Sequence, residues 1–188
     1  MTTTTSLSEL TGDYQLDTAR TRIGFAASSV LAKVRGQFGA FEGSAHLDGA
    51  DPSRSSVRLT IAATSIETGN QQRDGHLRSH FLDTGRHPVI TFTSTGVERV
   101  AETSFRLTGD LTIRGVTSPV TLDLELTGAE NAQVRLAGKA RINRKDWGVS
   151  WPAVLGTVSR QVTLELDVAA TRHPLSTRTT RVLRPARR

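Results

Sequence analysis

Cysteine is absent from the 188 residues, which excludes disulfides, thiolate catalysis and cysteine-ligated zinc. Aromatic residues are scarce, at 5%, so a large aromatic core is excluded as well. No run of about 18 apolar residues occurs, and no segment reads as a membrane-spanning helix. The first ten residues, MTTTTSLSEL, have neither the basic nor the apolar region of a secretory signal, so the expected location is the cytoplasm. Nucleophile elbows of the GxSxG type, phosphate-binding loops and GxGxxG turns are missing too. Many carboxylates, including Asp123, Glu125, Glu165 and Asp167, alternate with apolar residues as solvent-facing strand residues do. No catalytic residue and no cofactor is assigned from the sequence, and an enzyme is not expected.

What remains is a chain long enough for one domain with a modest core, at 36% apolar residues. Its net charge of +6 is concentrated at the C-terminus, where Arg172, Arg178, Arg181, Arg184, Arg187 and Arg188 occur with no acid among them. Those six account for the whole excess, so the body is neutral and a nucleic-acid-binding body is not expected. Residues 173–188, rich in Thr, Ser, Pro and Arg, read as a flexible basic tail. Two readings of it stay open: a solvated terminus, or an arm that lies on an anionic membrane or a phosphate backbone. Residues 1–12 read as a disordered segment, leaving 13–172 as the folded domain.

That domain alternates apolar and polar residues with a period of two. Phe105, Leu107, Gly109, Leu111 and Ile113 share one face, with Arg106, Thr108, Asp110 and Thr112 on the other. The pattern recurs through Val120–Leu126, Val134–Ile142 and Val162–Val168. Earlier strands are expected around Arg22–Val30, Phe41–Asp48, Val57–Ile66 and Val89–Val97. About eight antiparallel strands, each with one apolar face, can close into a barrel or pack as a sandwich. Inward residues include large ones (Phe25, Phe41, Ile61, Phe92, Leu107, Leu124, Leu136, Leu164) and small ones (Ala27, Gly43, Ala45, Gly109, Gly138, Ala140). Either the small residues leave an apolar cavity, or they interdigitate with large neighbours and the barrel is solid.

Three segments in order carry a family resemblance: Arg73–Thr95 (RDGHLRSHFLDTGRHPVITFTST), Gly109–Val120 (GDLTIRGVTSPV) and Ile142–Trp151 (INRKDWGVSW). With the strands between them they resemble the YceI-like family of lipocalin-like, polyisoprenoid-binding proteins, over about Tyr14 to Arg172. The resemblance implies an all-β, extended lipocalin-like antiparallel barrel with a short helical insert near residues 70–84. It implies non-enzymatic binding, transport or sequestration of a long apolar lipid, such as a polyprenyl phosphate or quinone. The barrel-lining residues would then be Phe25, Ala27, Phe41, Ile61, Phe92, Leu107, Leu124, Leu136 and Leu164. The alternative is a stress-response or interaction module whose barrel is a scaffold and whose arginine-rich tail does the binding. Homodimers would be unsurprising for such a barrel.

Polar candidates are few. Arg160 falls in phase with Val158, Val162 and Leu164, so it meets a lipid head group if the strand starts at Val158, or water if it starts at Gln161. Leu77 and Phe81 are spaced to form the apolar side of a lid over the barrel, with His76 beside them. His76 and His80 stand four apart, a spacing that can clasp a metal, but without an HExxH pattern no metal is assigned. The stretch Ser79–Asp83 is one residue shorter than the usual family form. Arg20 and Ser28 or Ser29 stand where the family commonly has histidines, so no role passes to them.

Overall fold

The computed structural model describes residues 6–29, 32–150 and 158–174. Its strands are β1 Gly12–Leu16, β2 Arg22–Ser29, β3 Lys33–Phe38, β4 Phe41–Leu47, β5 Ser56–Ala62 and β6 Ile66–Glu67. They are followed by β7 Val89–Arg99, β8 Ser104–Ile113, β9 Val116–Glu130, β10 Gln133–Asn143 and β11 Val158–Arg172. Three pairs of these are halves of single broken strands: β1 with β2, β3 with β4, and β5 with β6. Eight strands result, each antiparallel to the next in sequence. β11 closes the ring by pairing with β2 from Val162 to Asp167 and with β1 from Ala170 to Arg172. Closure leaves no long free edge, and the bends it needs appear as bulges at Ser94/Gly96, Arg135/Leu136 and Val158/Val162.

β1 and β3 are strands that the periodicity did not reveal. Both are short, and each places a glycine on the inward face: Gly12 beside Tyr14, and Gly36 between Val34 and Phe38. The expected strand Val57–Ile66 is interrupted by a 3-10 turn at Ala63–Ser65, where β5 stops pairing with β7 and β6 pairs with β3. The disorder expected through residue 12 also needs correction. Leu7–Leu10 forms a 3-10 turn, and Gly12 starts β1. Arg172, grouped with the basic terminus in the sequence, is the last residue of β11. The rest of the tail, 175–188, lies outside the described residues.

Small inward residues do not leave the middle of the barrel empty. A Cβ at Gly109 would stand 2.4 Å from Cζ of Phe92, one at Gly36 2.3 Å from Cζ of Phe25, and one at Gly138 2.5 Å from a methyl of Leu124. Each glycine is therefore covered by a large side chain of the neighbouring strand, and there the interdigitating reading holds. Phe25, Phe41, Ile61, Phe92 and Leu164 belong to one continuous apolar cluster.

One end of the barrel is shut by the insert between β6 and β7. Helix α1, Gln71–His76, is capped by the Asn70 side chain, which accepts from the Arg73 amide at 2.9 Å. It widens into a π turn at Leu77–Phe81. Leu77, Phe81 and Leu82 are buried, as the lid reading expects, while His76 is half-buried. The motif charges latch this lid to the strand below. Asp74, 6% exposed, accepts from the Thr68 amide at 2.9 Å and from its hydroxyl at 2.5 Å. Arg73 donates to the Thr68 carbonyl, and Arg78 to the carbonyls of Thr64 and Ile66.

The third motif works alike. Trp147, 2% exposed, donates its indole N–H to the Leu111 carbonyl at 2.7 Å. Arg144 donates to the carbonyls of Val149, Val158 and Ser159, tying the Arg144–Trp147 turn to the start of β11. Burial, and then the nearby charge of Arg160, push the Arg144 pKa below its usual value. Trp151 lies outside the described residues.

If Asp74 is the latch, Asp74→Ala leaves a covered amide and hydroxyl of Thr68 without their acceptor. Urea unfolding should show a loss of about 2 kcal/mol. A loss under about 0.5 kcal/mol would mean that the lid is held by its apolar side alone.

Candidate functional site

Opposite the capped end the lumen opens. An apolar cavity of about 90 Å³ lies there, within a depression of about 670 Å³ counted out to its open mouth. Its deeper wall comes from Val57, Val97, Leu107, Leu124 and Leu136, inward residues of β5 and β7–β10. Its rim comes from Leu7, Leu10, Leu47, Pro52 and the polar residues Asp48 and Ser55. The Phe92 ring lies over Gly109, one inward position below Leu107. Of the nine expected lining residues, Leu107, Leu124 and Leu136 face this cavity. Ala27 is only half-buried, near the β2–β3 hairpin at the other end.

The rim is electrically balanced on this side. Asp48 accepts from the amides of Ala50 and Asp51, and Arg54 stands 3.6 Å from it. The Asp51 amide above all, with the Ala50 amide and Arg54, holds the Asp48 carboxyl below its usual pKa.

Arg160 does not serve this mouth. The strand does begin at Val158, but Arg160 is exposed and lies beside Arg144 at the capped end. Along β11 the open end is twelve residues further on, about 40 Å at the rise of a strand. The same inward phase reaches Arg172 there, paired with the buried Tyr14. The period of two contained that signal; what it lacked was which end of the strand faces the opening.

The Leu7–Leu10 turn lies across the mouth. The Tyr14 hydroxyl donates to the Leu10 carbonyl at 2.9 Å, and the Gly49 amide to the Thr11 hydroxyl at 3.0 Å. Arg172 donates to the carbonyls of Glu9 at 2.6 Å and Thr11 at 3.4 Å. On the far side of the turn is a polar depression of about 180 Å³, bordered by Glu9, Tyr14, Glu130, Asn131, Gln133 and Arg172. The lid histidines do not form a metal centre of three ligands: the rings of His76 and His80 are 5.5 Å apart, and no group of three metal-ligating residues occurs among the described residues.

Comparison with known proteins places this geometry. A family model described as a YceI-like domain matches residues 14–170. Protein YceI of Escherichia coli O157:H7 is 37% identical over 139 residues, 71% of each chain. The solved structure of BcnA from Burkholderia cenocepacia has a similar fold, with a TM-score of 0.78 at 22% identity, over 83% of this chain and 99% of that one. A polyisoprenoid binding domain from Saccharophagus degradans is similar too, with a TM-score of 0.69 at 17% identity, over 85% and 98%.

Two outcomes test the mouth. A Cβ at Gly49 would stand 1.6 Å from the Leu7 carbonyl oxygen, so Gly49→Ala must lift the turn. The Glu9 and Thr11 amides, which donate within it, should exchange hydrogen faster by at least tenfold, with the strands of the barrel unaffected. Unchanged exchange would show that the turn is not seated on Gly49. The depressed Asp48 pKa means that its stabilisation of the rim loop is complete above the unfolded value of about 3.9 and is lost as pH falls through the folded value. Protection of the Ala50 and Asp51 amides should therefore hold from pH 8 to 5 and fail only below about pH 4. Loss of protection near pH 6 would contradict this.

Proposed function

The chain belongs to the YceI-like family, and on that premise we propose that it binds the tail of a long apolar lipid, an isoprenoid, in the open end of its barrel, for transport or sequestration. The observation that carries this reading is the apolar cavity walled by Val57, Val97, Leu107, Leu124 and Leu136 at the end of the barrel opposite the lid. An apolar tail gains about 0.8 kcal/mol for each CH2 that leaves water, so such a wall selects for tails rather than for polar solutes. The fold shared with a polyisoprenoid binding domain supports the isoprenoid class. Ligand pockets commonly span roughly 300–1,000 Å³. The 90 Å³ cavity takes the end of a tail, and the rest lies in the wider depression or displaces what covers it.

Native mass spectrometry of protein purified from its own source, with organic extraction of what it carries, tests this directly. A stoichiometric isoprenoid or other long-chain lipid is the expected result. An empty protein that also takes up neither polyprenyl phosphate nor quinone on titration would overturn the reading. Leu136→Trp, which fills the cavity, should weaken uptake about tenfold while far-ultraviolet circular dichroism and a cooperative thermal transition are kept. Deleting residues 173–188 should leave uptake unchanged; if uptake is lost instead, the tail and not the barrel holds the ligand.

A further inference from the structure

We propose that Arg172 is the head-group site for an anionic lipid, and that in the empty protein the Leu7–Leu10 turn occupies the place of that ligand. The inference rests on the tail-binding reading and adds the head group and the means of entry.

Arg172 is the last inward residue of β11, directly opposite Tyr14 in the register. A guanidinium at the rim of an apolar lumen is suited to a phosphate, which it can meet with two parallel charge-assisted bonds. Its present partners are two carbonyl oxygens of the turn, from Glu9 and Thr11. Leu7 and Leu10 of the same turn stand at the rim of the apolar cavity. The turn thus presents apolar side chains where a tail enters and oxygens where a head group sits. It also separates the apolar cavity from the polar depression, with Leu10 bordering both. Lifting it would join the two into one amphipathic opening.

The charges around Arg172 fit this exchange. The acids bordering the polar depression are Glu9 and Glu130. Glu9 leaves with the turn, whereas Glu130 is exposed on the β9–β10 hairpin. Arg20, ion-paired with Asp17 at 3.7 Å, donates to Gln133, which borders the same depression. The turn is held by the Tyr14 and Gly49 hydrogen bonds, the two from Arg172, and the packing of Leu10 on the cluster of Tyr14, Val134 and Ala170. Lipid binding must displace it, and that cost lowers the affinity of the unaltered protein.

The test compares geranylgeranyl monophosphate with geranylgeraniol, which has the same tail and a neutral head, on the full chain. Arg172→Gln should weaken binding of the phosphate about tenfold and leave that of the alcohol unchanged or tighter, since the variant also frees the turn. Leu7→Ser with Leu10→Ser, which keeps every backbone partner, should tighten binding of the phosphate several-fold. On adding the phosphate to the unaltered protein, the Glu9 and Thr11 amides should exchange faster, whereas a turn that stays in place would keep its protection. Equal losses for phosphate and alcohol in Arg172→Gln, with a native melting temperature, would overturn the head-group assignment. If the unaltered protein binds neither probe, it is the tail-binding reading that fails. If it binds both and the variants change neither, this inference alone fails.

Discussion

Everything in this molecule depends on the closure of β11 onto two halves of one strand. Pairing with β2 over Val162–Asp167 and with β1 over Ala170–Arg172 makes an eight-membered ring out of a sheet that would otherwise end in an exposed edge. A ring of eight strands encloses a lumen just wide enough to be filled by side chains or to hold one slender ligand. Both outcomes occur in the same barrel. In the middle, Phe92 lies over Gly109 and Leu124 over Gly138, and the space is used up. Towards the mouth, a cavity remains among Val97, Leu107 and Leu136.

The two ends differ in how they are finished. At the capped end, charged residues of the motifs bond mainly to main chain: Arg78 to Thr64 and Ile66, Arg144 to Val149, Val158 and Ser159, Asp74 to the Thr68 amide and hydroxyl. Buried or half-buried charges are costly unless every donor or acceptor is met, and these are met by groups whose position is fixed by the strands. RDGHLRS and INRKDW thus fasten the cap and the final turn to the strands. At the open end, the covering piece is a short turn with four hydrogen bonds, a much weaker closure. An entry route belongs at the end that opens at lower cost.

Much of the barrel was legible because its long strands keep a strict period of two: β8 and β10 show Leu107, Leu111, Val134 and Ile142 buried where alternation put them. β1 and β3 were not, since five or six residues with an inward glycine give too short a pattern to stand out. The site was legible only in part. Alternation shows which residues face inward, and so found Leu107, Leu124 and Leu136. It does not show which neighbour leans over a glycine, as Phe92 does over Gly109. Arg160 and Arg172 share one phase, and only the three-dimensional arrangement of the caps distinguishes the end that is latched from the end that opens.

The most direct measurement is a crystal structure of the protein bound to an isoprenoid whose tail ends in bromine, with the bromine located by anomalous scattering. A single site among Leu107, Leu124 and Leu136, above the Phe92 ring, is the result this account predicts. Bromine on the outer surface of the barrel, or at the capped end beside Arg144 and Trp147, would contradict it.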